Sequence, residues 1–139
     1  MDTERIREFV LSLPHVVETA SDTVRWGDKI VFRVGDQAAG GKMFCQIDFE
    51  KDGRAILSFA AGPERFHELI ELDGVIPAPY RARIHWVALM QKDALGEKRL
   101  KDLLRNAREI TFAKLPKRVR ESLTNGKRGA IPQTSRNSS

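Results

Sequence analysis

Residues Lys29 to Ala60 read KIVFRVGDQAAGGKMFCQIDFEKDGRAILSFA, and this stretch decides the fold. Two β-rich runs, Lys29–Val34 and Met43–Phe49, flank the connection Gly35-Asp36-Gln37-Ala38-Ala39-Gly40-Gly41. Alternation puts Ile30, Phe32 and Val34 on one face of the first run. It puts Met43, Cys45, Ile47 and Phe49 on one face of the second. Lys51-Asp52-Gly53 is a turn signal, and Ala55–Ala60 follows as a third strand. Three strands with turn-length connections predict an antiparallel meander.

Outward from this core, helical spacing takes over. On the N-terminal side, Asp2 or Thr3 can cap a helix in which Ile6, Phe9, Val10 and Leu13 recur at i, i+3, i+4 and i+7. Pro14 ends it, and residues 15–23 read as a loop or a short extended piece. On the C-terminal side, Gly62-Pro63 opens a second helix with Phe66, Leu69 and Ile70 on its apolar side, and Gly74 stops it. Val75–Arg83 carries two prolines and reads as a loop, before a last strand over Ile84–Leu89. A helix is expected from about Gly96 to Arg108, and another over Pro116–Leu123. There is no internal repeat. The expected architecture is α+β, an antiparallel sheet covered by helices. Residues 1–124 form one domain, and 125–139 a disordered basic and polar tail with little to bury.

Composition agrees with a folded domain. The chain has 139 residues, and its 41% of hydrophobic residues suits a packed core and excludes wholesale disorder. No apolar run approaches the ~20 residues of a membrane helix. The charged, helix-like start Met1-Asp2-Thr3-Glu4-Arg5 is unlike a signal peptide. A single cysteine, Cys45, rules out an internal disulfide, so a cytoplasmic protein is expected. The net charge of +5 hides a division. Residues 1–80 hold 9 Lys/Arg against 14 Asp/Glu, whereas residues 81–128 hold 14 against 5. The C-terminal half is therefore where a polyanion can dock. The alternative is a basic surface that only keeps the protein soluble.

With the elements placed, a family resemblance emerges. Ile6-Arg7-Glu8-Phe9-Val10-Leu11-Ser12-Leu13-Pro14-His15-Val16 resembles the opening helix of MmcQ/YjbR proteins, which ends in Leu-Pro-Gly-Val. Lys42-Met43-Phe44-Cys45 is similar to their second-strand motif, and Pro79-Tyr80 with His85-Trp86-Val87 to their Tyr…Trp segment. Ala113-Lys114-Leu115-Pro116-Lys117-Arg118-Val119 resembles their closing lysine-rich helix. The match runs in order over about residues 4–124. It departs at His15, where glycine is usual, at Ile84, where many members have a basic residue, and at a longer Gly35–Gly41 loop. The resemblance implies a frataxin-like α+β layout. Members are labelled DNA-binding because their strands and loops resemble a double wing, so the resemblance also implies duplex DNA as a partner. It carries over no catalytic motif.

The residues themselves point to the same half of the chain. At 100° per residue, Lys98, Lys101, Arg105 and Arg108 share one face of their helix, opposite Leu100, Leu103, Leu104 and Ala107. The leucines can dock on the sheet while four cations point outward. Lys114, Lys117, Arg118 and Arg120 continue the basic surface. Such a stripe suits phosphate contacts, which attract without reading sequence. It is equally the pattern of an ordinary solvated helix face, and Glu97, one turn before Lys101, neutralises part of it. Arg81, Arg83, His85 and Trp86 form a second candidate surface, basic residues interleaved with an aromatic, while Tyr80 suits either surface or core. Trp86 shares a strand face with Ile84 and Ala88, however, and reads as core. Trp26, beside Arg25, is either a wing residue or a half-buried sheet edge.

Catalytic chemistry finds little support. His15, His67 and His85 are far apart and lack ligand spacing with Cys45, so neither zinc nor another cofactor is expected. Cys45 reads as buried and inert. Asp48, Glu50 and Asp52 can hold a weak cation but read as a solvated turn. No phosphate loop or nucleophile elbow is present. The expected function is non-enzymatic. It is a monomeric module gripping duplex DNA with little sequence specificity or, alternatively, a protein-interaction or small-ligand module with an incidental basic surface.

Overall fold

The computed structural model describes residues 3–20, 29–36, 38, 40–48, 57–78, 82–90 and 94–125. The expected tail beyond its first residue, Asn125, which is helical, lies outside these residues, as do the end of the second meander strand and the turn at 51–53. So do Trp26, Tyr80 and Arg81.

The described chain is α+β, with six strands in one antiparallel sheet and four α-helices. Helix α1 spans Thr3–Leu11, followed by strands β1 (Val16–Ala20), β2 (Lys29–Val34), β3 (Lys42–Asp48) and β4 (Leu57–Ala60). Helix α2 (Pro63–Leu69) leads to β5 (Val75–Pro77), and a 3₁₀ turn at Ala82–Ile84 leads to β6 (Trp86–Leu89). Helices α3 (Glu97–Ala113) and α4 (Lys117–Asn125) close the described chain. The sheet order is β1-β2-β3-β4-β6-β5, every neighbouring pair antiparallel. The expected meander is present and is one strand longer, because residues 16–20 pair with β2.

Register decides which side chains the helices cover. Phe32 faces Cys45, Cys45 faces Phe59, and Phe59 faces Val87, one row across four strands. A second row joins Ile47, Leu57, Leu89 and Val75. All eight are buried to 3% exposure or less, so this face is the core side. Helix α3 lies across β3 and β4. Its Leu100, Leu103, Leu104 and Ala107 are buried as their spacing requires. Each leucine contributes about 1.5–3 kcal/mol by leaving water. Helix α1 adds Ile6 and Val10, and Arg7 fastens it to β1. The Arg7 guanidinium donates to both carboxylate oxygens of Glu18, at 2.8 and 3.0 Å.

Several expectations are corrected. Val75–Arg83 is not all loop. Val75–Pro77 forms an edge strand on β6, where a proline at the rim leaves no ladder bond unmade. Ile84 is not in the last strand but in the 3₁₀ turn, 55% exposed. The third long helix runs on from Arg108 to Ala113, since Thr111 still packs inward. α1 ends at Leu11, three residues before Pro14. α2 ends at Leu69, capped by Ile70, and not at Gly74, which at φ 85° shapes the turn before β5.

Candidate nucleic-acid interface

The ten cations singled out by the sequence divide into three groups. Arg81 lies outside the described residues. Arg83, Lys98, Lys114, Lys117 and Arg118 are exposed. Lys101, Arg105, Arg108 and Arg120 are engaged with the protein itself.

The engaged group revises the picture of a free basic row along α3. Arg108 does not point outward; its side chain is only 8% exposed. Its Nε donates to the Pro14 carbonyl oxygen at 3.0 Å, and its Nη1 pairs with Glu109 at 3.0 Å. The guanidinium carbon sits 4.8 Å from the Phe112 ring centroid. The cause is geometric. Lys101 and Arg108 are seven residues apart, which on an α-helix is a rotation of only about 20°. Both therefore lean toward α1 and the turn after it. Lys101 Nζ lies 5.5 Å from the centre of the Phe9 ring, and Arg105 covers the same ring at 5.1 Å.

Acidic neighbours neutralise two more of that row, Lys101 and Arg105. Lys101 pairs with Glu97 at 3.2 Å, and Arg105 with Asp102 at 2.8 Å. Glu97 also receives Arg5 from α1 at 3.0 Å. The hydrogen bond from Lys101, followed by the charge of Arg5, holds the Glu97 carboxyl below the usual range. A shallow depression of about 430 Å³ along this face is lined by Glu97, Lys98, Lys101, Asp102 and Arg105. It carries three cations against two anions, so its pull on a polyanion is modest.

Three of the exposed group, Lys114, Lys117 and Arg118, gather around the α3–α4 connection, whereas Lys98 stands in the first turn of α3 and Arg83 in the 3₁₀ turn before β6. Lys114 follows the last residue of α3, where a cation complements the helix dipole. Lys117 and Arg118 open α4, with Lys117 79% exposed and Glu121 Oε2 3.9 Å away. Arg120 is turned inward, its Nε donating to the Leu115 carbonyl oxygen at 3.1 Å. The helix α4 is anchored through Val119, which is buried, and through Leu123, which packs over Gly35. Arg99, beside Lys98, is a further exposed cation that helical-face spacing does not single out.

Other candidates resolve simply. Trp86 is core, 4% exposed, opposite Ala60. Trp86 is therefore no platform beside Arg83, whose neighbour Ile84 is exposed. Cys45 is fully buried, and that burial pushes its thiol far up. Two histidines that sequence distance separates come together: the His67 and His85 rings lie 6.3 Å apart, both against Phe66. Among the described residues, no three His, Cys, Asp or Glu side chains group as a metal site. Glu50 and Asp52 are outside those residues. No described helix is long and apolar enough to cross a membrane.

The YjbR family profile matches residues 11–110, from the end of α1 through most of α3. The chain belongs to the YjbR family. The same layout recurs in the crystal structure of Deinococcus radiodurans protein DR2400, which carries a DUF419 domain. That structure shares 24% identity with this YjbR chain at a TM-score of 0.72, covering 98% of this chain and 93% of the other. At that identity the likeness speaks for the fold. No curated protein matches the chain. The match to the YjbR profile ends at residue 110, before Lys114 and α4. The exposed cations of the α3–α4 connection therefore lie outside the matched region.

Proposed function

We propose that this domain binds duplex DNA through the phosphate backbone, without catalysis, using the exposed cations of α3 and α4. The observation that carries the reading is the concentration of 14 Lys/Arg against 5 Asp/Glu in residues 81–128. Lys98, Arg99, Lys114, Lys117 and Arg118 from that segment stand in solvent. Exposed, flexible cations neutralise phosphates and release counterions without reading bases. With about four such contacts, affinity falls with salt at a log–log slope of about −4, roughly micromolar at physiological salt. The domain acts as a monomer in the cytoplasm in this reading.

A second reading has its own support. The pairing of Lys101 with Glu97 and of Arg105 with Asp102 is what a self-neutralised solvent face looks like. On that reading, the remaining cations meet an acidic protein surface. Binding of a generic duplex at low salt, measured by fluorescence anisotropy, separates the two. Steeply salt-sensitive binding is expected. Absence of binding at low salt leaves the protein-interaction reading in its place.

A further inference from the structure

Beside the α3–α4 turn is a cleft of about 330 Å³ lined by Phe112, Lys117, Arg120, Glu121, Thr124 and Asn125. That volume lies at the small end of ligand pockets. Its lining divides by chemistry. Phe112, partly exposed, supplies an aromatic surface. The Arg108 guanidinium at 4.8 Å and the near-parallel His15 ring at 6.4 Å and 15° hold its orientation. Two cations flank it. The Nε bond from Arg120 to Leu115 orients the guanidinium, while Lys117 extends into solvent. Glu121 supplies a carboxylate, and Asn125 an amide with two donors and an acceptor.

We infer that this cleft binds a nucleotide unit, an aromatic base carrying one phosphate, either free or at an unpaired position of a strand. An anion alone engages the cations and gains nothing from Phe112. An aromatic ligand alone leaves Lys117 and Arg120 unused. A base joined to a phosphate uses both, because ring contact with an aromatic side chain is tolerant of base identity. Two cations against Glu121 leave one net positive charge, which suits a single phosphate. The Glu121 carboxylate and the Asn125 amide can meet the polar edge of the base. Contact with a duplex backbone needs no aromatic ring, so this inference stands apart from the duplex reading.

Nuclear magnetic resonance on the full chain tests it, following the Phe112 ring and the Arg120 Nε–H. The probes are adenosine 5′-monophosphate, inorganic phosphate, adenosine, and a short oligothymidine strand. The nucleotide should shift both groups and bind at least about tenfold more tightly than phosphate. Phe112→Leu should weaken it by about tenfold, and Arg120→Gln should weaken it while leaving adenosine unchanged. Binding of the mononucleotide makes the source a free nucleotide. Binding of the oligonucleotide alone, with the same sensitivity to both substitutions, makes it a strand. Phosphate binding as tightly as the nucleotide overturns the inference. So does the absence of shifts at the cleft with millimolar mononucleotide and oligonucleotide, or oligonucleotide binding that ignores both substitutions.

Discussion

Arg108, in the middle of α3, donates from its Nε to the carbonyl oxygen of Pro14 at 3.0 Å, across 94 positions of sequence. The bond closes the turn after α1 onto the longest helix, and the Phe112 ring beneath the guanidinium keeps it dry. A charge-assisted bond of this kind contributes about 1.5–3 kcal/mol. Arg108→Leu should therefore lower stability by about 2 kcal/mol, a fall of roughly 8 °C in Tm. Arg108→Lys keeps the charge but loses the planar fork, and should recover only part of it. An unchanged melting temperature for Arg108→Leu would return this residue to the solvent-facing row.

The loop between β2 and β3 depends on the close approach of two glycines. A Cβ on Gly41 would overlap the carbonyl group of Gly35, and backbone cannot swing aside as a side chain can. Gly41→Ala should cost about 3 kcal/mol or more, as overpacking against fixed atoms does. At Gly96, before α3, an added methyl group would meet nothing within 4 Å. Gly96→Ala should cost less than about 1 kcal/mol, the loss of a favourable helix-capping residue. Chemical denaturation of both variants checks the contrast; similar losses would contradict it.

His15 occupies the left-handed region at φ 63°, where a side chain is strained by about 1–2 kcal/mol. This explains why glycine is usual there in the YjbR family. The carbonyl of His15 accepts from Gly35 N at 2.8 Å, so the conformation is held by the end of β2. His15→Val should destabilise by about 1–2 kcal/mol, because a β-branched residue suits this region least. His15→Gly should match or exceed the parent protein. Equal losses in both variants would mean that the imidazole contacts, rather than the backbone, dominate this position.

Much of this architecture was legible in the sequence, for reasons that differ by element. The meander showed because Phe32, Cys45, Ile47 and Phe59 alternate with residues facing the other way, and a one-residue slip would unseat all of them. Helix α3 showed because Leu100, Leu103, Leu104 and Ala107 repeat at helical spacing. Strand β5 did not, since three residues ending in a proline resemble a loop until a neighbour supplies the pairing. The basic row was read only in part. Helical angle tells which way a side chain starts, not what a long stem reaches, and Arg108 reaches Pro14. The His67–His85 pair was hidden because β5 and the segment before β6 intervene between α2 and His85.

In the proposed function, the exposed cations at the start of α3 and at the α3–α4 connection, rather than the paired Lys101 and Arg105, carry the affinity for duplex DNA. Lys98, Lys114, Lys117 and Arg118 are changed together to glutamine, with Lys42 and Arg65, exposed in the acidic half, changed likewise as a control. The quadruple variant should keep its Tm, since none of its four side chains is buried. Binding to a generic duplex is then titrated with salt for parent, variant and control. The variant should bind more weakly, with a log–log slope flatter by about three to four units, and the control should be unchanged. A slope that stays the same in the variant, or that flattens only in the control, would contradict this assignment.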